Sequence, residues 1–184
     1  RGFNGAIPGP TIRTAPGERL RITLHNTLFG DPSQPEEARL PFNDFKLFNT
    51  TTLHTHGLHV SPRAPADDVF LTVEPGASRT YEYEVPAYHM GGTHWFHPHL
   101  HGASLIQAGG GANGMLVIDD LPGALPSEIE NLEEFNMILL HLDMPAITSA
   151  ARDYQAACAT LPGATTAKCA DNVWGPGATQ GTQT

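Results

Sequence analysis

Residues 54–57 read His-Thr-His-Gly, and residues 97–99 read His-Pro-His. On extended backbone successive side chains point to opposite faces, so the two histidines of each pair share one face. Each pair therefore predicts a β-strand that turns two imidazoles the same way. If the two strands are neighbours, four ring nitrogens face one point, and no other feature constrains the fold as much. Imidazoles two residues apart on a strand sit about 6.5–7 Å apart at the Cα level. That spacing is too wide for easy chelation of one ion but suits adjacent ions of a cluster. Neutral imidazole accepts copper, zinc, iron and nickel. Gly57 removes a side chain where a ligand or another backbone must come close.

By the same alternation Trp95 shares the face of His97 and His99 and is placed to wall the site against solvent. His101 has that parity too. It reads either as a hydrogen-bonding neighbour of the ligands or as a surface histidine. His59 and His94 fall on the opposite faces of their strands, and His25, His89 and His141 read as ordinary surface or hydrogen-bonded residues.

The rest of the chain reads as short strands separated by turns, the pattern of a β-sandwich or barrel. Pro8-Gly9-Pro10 turns into Thr11–Arg13, and Pro16-Gly17-Glu18 precedes a clean alternation. There Leu20, Ile22 and Leu24 face one way, and Arg19, Arg21 and Thr23 the other. Tyr81, Tyr83 and Val85 alternate with Glu82 and Glu84, and strands are expected at Thr50–Val60, Thr93–His99 and Met115–Ile118. Residues 30–49 read as a long surface loop with a helical turn at Pro35–Leu40. Gly109-Gly110-Gly111 lacks a following Gly-Lys-Ser/Thr, so it reads as a connection and not a phosphate loop. Phe135–Leu142 is a continuous apolar run suited to a central strand. The expected organisation is a sandwich over residues 1–145, then an irregular linker or insertion over 146–184. Tyr154 and Trp174 would anchor that extension, and its last residues, Thr179–Thr184, would fray.

At 184 residues the chain can bury about 70% of its unfolded surface in a single core. Nineteen acidic against ten basic residues give a net charge of −9, without a Lys/Arg cluster. Nucleic acid and anionic membrane surfaces are therefore not expected partners. No apolar run approaches the roughly 20 residues of a membrane span. Cys158 and Cys169 have neither a Cys-x-x-Cys spacing nor a neighbouring histidine, which predicts a local disulfide and an oxidising compartment. Asn49-Thr50-Thr51 is an N-glycosylation sequon, which agrees with a secreted or periplasmic location. Arg1 stands without an initiator Met or signal peptide, as in a mature or trimmed product.

Other metal sites fit poorly. His54-x-His56-x-x-His59 lacks the Asp of metallo-β-lactamase-like hydrolases, since Leu58 stands in its place. The Glu that follows a cupin His-x-His is absent, and zinc-finger cysteines are missing.

The histidine segments resemble the first cupredoxin domain of the multicopper oxidases, the laccase, ascorbate oxidase and cuproxidase group. Asn4–Ile12 is similar to the family's NG-x-x-PGPT opening, and Pro16–Asn26 to its next strand. Leu53–Gly57 is similar to the HxHG motif, and Trp95–Gly102 to WYHxHxHG. Met115–Ile118 resembles the strand that closes the domain. The resemblance spans Phe3 to about Pro145. It implies an all-β, Greek-key sandwich of the cupredoxin type and a trinuclear copper cluster, half of whose histidines come from this domain. His54 would ligate the type 2 copper, His56 and His97 one type 3 copper, and His99 the other. An acidic residue between the motifs assists proton supply in the family. Asp67 fits that place, with Asp68 the alternative and a solvated turn the plain reading of both.

The type 1 copper needs a Cys flanked by His, and neither Cys158 nor Cys169 is so flanked. The remaining trinuclear histidines have no counterpart here either. The resemblance therefore implies a part of an enzyme, either an N-terminal fragment or one chain of a split or oligomeric oxidase. Its partners would be further cupredoxin domains, dioxygen and a small reducing substrate, phenol-like or a metal ion. The competing reading is a non-catalytic copper-binding or structural module of an extracellular assembly.

Overall fold

A computed structural model describes residues 1–28, 45–165 and Cys169. The helical turn expected at Pro35–Leu40, the anchor Trp174 and the frayed end Thr179–Thr184 lie outside the described residues. The elements are β1 (Ile12–Thr14), β2 (Arg19–His25), β3 (His54–His56), β4 (Ser78–Glu84), β5 (Gly92–His97), α1 (Ser104–Ala108), β6 (Gly114–Ile118), α2 (Ser127–Glu130) and α3 (Met144–Cys158).

The strands form two sheets, one ordered β1-β6-β5-β3 and the other β2-β4. β1 runs parallel to β6, and every other pairing is antiparallel. The chain crosses between the sheets four times, at β1 to β2, β2 to β3, β3 to β4 and β4 to β5. The result is an all-β sandwich with the crossed connectivity of a Greek key.

Alternation explains the packing. Tyr81, Tyr83 and Val85 from the β4 side meet Leu53, Phe96, Leu116 and Ile118 from the other sheet, with Leu20, Ile22 and Leu24 of β2 packed alongside. The outer face of the small sheet carries cross-strand ion pairs, Arg19 to Glu84 at 2.6 Å and Arg21 to Glu82 at 3.4 Å. These exposed pairs help set the register but add at most about 1 kcal/mol each. Gly114 has to be glycine, because a Cβ there would overlap the Phe96 ring.

Three expectations are corrected. Phe135–Leu142 joins neither sheet. Phe135 is 82% exposed and Leu139 88% exposed. The central places of the larger sheet are taken by β6 and β5. Among the described residues the extension after Pro145 is not wholly irregular, since residues 146–158 belong to α3. Asp143 caps that helix by accepting from the Ala146 N–H, and Pro145 occupies its first turn. One face of α3 buries Ala150, Ala151, Tyr154 and Cys158 against Phe48, Ala103 and Ile106. The Phe48 and Tyr154 rings lie 4.3 Å apart, and Cys158 is bonded to Cys169 as expected. Finally, the sequon's Asn49 is not at the surface. It is buried, its Oδ1 accepts from the Arg1 guanidinium at 2.7 Å, and its carbonyl accepts from Asn26 Nδ2.

Candidate metal centre

The register of β3 against β5 places His54 opposite His97 and His56 opposite Trp95. β3 is an edge strand, and its backbone N–H groups alternate in direction. Those of Thr51, Leu53 and Thr55 point away from β5, to the Val73 carbonyl, the Tyr81 hydroxyl and the Asp67 carboxylate. The open edge is thus held by a backbone bridge to Val73 in the lead-in to β3 and by the Tyr81 and Asp67 side chains next to and within it.

The rings converge. His54 lies 5.2 Å from His97 and 5.1 Å from His99 between centroids, and His56 lies 5.5 Å from His97. One ligand nitrogen from each of His54, His56 and His97 falls within 4.8 Å of the other two. His99 sits at the margin of this group, 6.0 Å from His97. The structure thus brings the four sequence-predicted histidines to one place, on one side of the β3–β5 pair.

Hydrogen bonds select which nitrogen is presented. Asp67 Oδ2 lies 2.7 Å from His54 Nδ1, while Oδ1 accepts from the Thr55 N–H at 2.8 Å and from the Thr55 hydroxyl at 3.1 Å. Burial pushes the Asp67 carboxyl up, but bonds from His54 and Thr55 outweigh it and hold the group below the usual carboxylate range. As a carboxylate Asp67 only accepts, so His54 donates from Nδ1 and leaves Nε2 for a ligand. His97 Nδ1 donates to the Pro98 carbonyl at 2.9 Å, and its Nε2 faces His56 Nδ1 at 3.2 Å. Burial first, then neighbouring histidines, lowers the pKa of His97 and keeps it neutral. Asp68 turns elsewhere and accepts from the Phe70 N–H.

Trp95 lies 4.1 Å from the His97 ring at 27° and 5.1 Å from His56. It covers one side of the cluster while remaining 41% exposed itself. His101 is exposed in the turn before α1. On the far side of β5, His59, His89 and His94 form a second group with ring centroids 5.1 and 5.5 Å apart. Both nitrogens of His89 are engaged, Nδ1 with the Met90 carbonyl and Nε2 with the His59 N–H. His89 is therefore the hydrogen-bonded structural residue the sequence suggested. The sequence signals for this second group are the opposite parities of His59 to His54 and His56, and of His94 to His97.

At this edge of a cupredoxin-like sandwich, His54, His56 and His97 converge into a group that could hold a metal ion. Residues 42–123 match the family model for multicopper oxidases. Laccase-4 of Thanatephorus cucumeris is 36% identical over 119 residues, covering 64% of this chain and 19% of that protein. The multicopper oxidase mco of Staphylococcus aureus is 28% identical, covering 65% of this chain and 22% of its own length. A solved multicopper oxidase from Campylobacter jejuni, described as a metallo-oxidase, superposes with a TM-score of 0.49 at 28% identity, covering 65% of this chain and 21% of that chain. Residues 42–123 are thus similar to a multicopper oxidase domain, and the chain spans about a fifth of the length of these relatives.

Proposed function

We propose that this domain supplies half the histidines of a trinuclear copper centre in an oxidase that couples oxidation of a small reducing substrate to reduction of dioxygen to water. The observation that carries the proposal is the convergence of His54, His56 and His97 with His99 beside them. The donor set fits copper. All four donors are imidazoles, and Asp67 is turned to the outer nitrogen of His54 and leaves its Nε2 for a ligand. The Pro98 carbonyl takes His97 Nδ1, so that His97 Nε2 faces His56 Nδ1 across 3.2 Å. In this reading His54 holds the type 2 copper, His56 and His97 one type 3 copper, and His99 the other. When bound, the copper ions supply the redox chemistry and the dioxygen site.

The chain's own residues do the rest. Asp67 orients His54 and holds a proton-accepting carboxylate beside the cluster. Trp95 covers the His97 ring, and burial keeps His97 deprotonated on Nε2. The sandwich of residues 1–145 and the 146–184 extension lead to further cupredoxin domains, which cover the exposed run at Phe135–Leu142. A location outside the reducing cytosol is supported by the Cys158–Cys169 disulfide. Among the described residues no helix is long and apolar enough to cross a membrane.

The test is copper titration of the chain alongside His56→Ala and His97→Ala, with circular dichroism to verify folding. Each variant should bind copper at least tenfold more weakly than the parent. Equal affinity in folded variants would end the proposal. Copper binding without oxygen uptake, in a polypeptide that includes the further domains and with phenolic and metal-ion reductants, would reduce the domain to a copper-binding module.

A further inference from the structure

We propose that Thr52 is the positioning residue for His99, its buried hydroxyl standing in for the backbone carbonyl that the β3–β5 ladder would otherwise offer. The inference deepens the copper reading and rests on it only for the role of His99. The ladder pairs His54 with His97, so two residues further along the same register Thr52 faces His99. The N–H groups of Thr51, Leu53 and Thr55 all point away from β5. Closely bonded pairs therefore fall at the even positions, 54 with 97 and 52 with 99.

A regular continuation would send the His99 N–H to the Thr52 carbonyl. It goes to Thr52 Oγ1 instead, at 2.6 Å. Pro98, lacking an N–H, ends β5 at His97 and frees the chain to swing out. The side-chain bond then catches it at a new angle. This angle sets the His99 ring 5.1 Å from His54 and 6.0 Å from His97, where a continued pleat would give only the alternating face.

Thr52 is itself packed in the interior. It is fully buried, and the segment carrying it is clamped by Gln107 of α1. Gln107 Nε2 donates to the carbonyls of Phe48 and Thr50, and its Oε1 accepts from the Thr51 hydroxyl. The helix that follows the second histidine motif thus holds the lead-in to the first, and Thr52 passes that constraint to His99.

The test needs no copper for its first arm. In the metal-free chain the His99 amide should exchange slowly, and the His54 and His99 rings should show a mutual nuclear Overhauser effect. Thr52→Ser should retain both signals. Thr52→Val, which keeps the shape and loses the hydroxyl, should speed His99 exchange at least tenfold and abolish the ring contact. In the second arm Thr52→Val should weaken copper binding by about 10–100-fold, with Thr52→Ser near the parent. A fast-exchanging His99 amide in the unmodified protein overturns the inference without any variant, which covers a Thr52→Val chain that fails to fold. So does a folded Thr52→Val chain with both signals intact. Failure of the parent chain to bind copper would overturn the metal reading while the amide arm still decides the role of Thr52.

Discussion

Asp67 reaches His54 and the backbone of Thr55 with its two carboxylate oxygens, 2.7 Å to His54 Nδ1 and 2.8 Å to the Thr55 N–H. One side chain thus closes the open edge of β3 and chooses the nitrogen that His54 presents. This double engagement gives Asp67 a structural effect that can be measured without turnover.

Because its folded pKa lies below the unfolded value of about 3.9, Asp67 stabilises the fold above that pH. The contribution is lost as pH falls through the folded value, so the sensitive window lies below about pH 4. Asp67→Asn should lower stability by about 1–3 kcal/mol at pH 7. Denaturant unfolding at pH 7 and pH 3 should show the gap between parent and variant narrowing in acid. Parallel pH profiles would remove Asp67 as the cause.

Gly57 follows His56 in a left-handed conformation, with φ at +89°, and a Cβ there would come within 2.9 Å of His94 Nδ1. Gly76 has a similar φ of +78° but open space around it. Gly76→Ala should therefore cost only the backbone penalty of about 1–2 kcal/mol. Gly57→Ala should cost more and should shift the His94 ring resonances. Equal unfolding midpoints for the two variants would refute the steric part of this account.

The run Phe135–Leu142 exposes Phe135, Met137 and Leu139, apolar side chains of the kind that mark an interaction surface. Phe135→Asp with Leu139→Asp should therefore improve solubility of the isolated chain and leave its melting temperature unchanged, because neither side chain packs on the sandwich. In a polypeptide carrying the further domains, amides 135–142 should become protected from hydrogen exchange. A fall in melting temperature for the double variant of the isolated chain would show that the run belongs to this core.

Much of the sandwich was legible because it depends on local rules. Leu20, Ile22 and Leu24, and Tyr81 and Tyr83, announced two faces by alternation alone, and the glycine and proline turns bounded their strands. Phe135–Leu142 misled for a reason of the same kind. Its composition states that the run wants burial and cannot state which sheet provides it. Helix α3 was missed although its signals were present, an Asp143 cap, Pro145 in the first turn and alanines throughout. A small-residue composition looks like linker until Phe48 and the Tyr154 ring are seen to share a core.

Residue order alone determined that His54 and His56 share a face, as do His97 and His99, since strand geometry relates near neighbours without reference to the rest of the chain. The family resemblance, and not residue order, put Asp67 ahead of Asp68 for the acidic role. Only the tertiary structure brought β3 beside β5 in a register that sets His54 against His97, turned Asp67 and not Asp68 to the cluster, and delivered Thr52 to His99. Those relationships join residues 13 to 47 positions apart, where long-range packing decides what meets and no local pattern can.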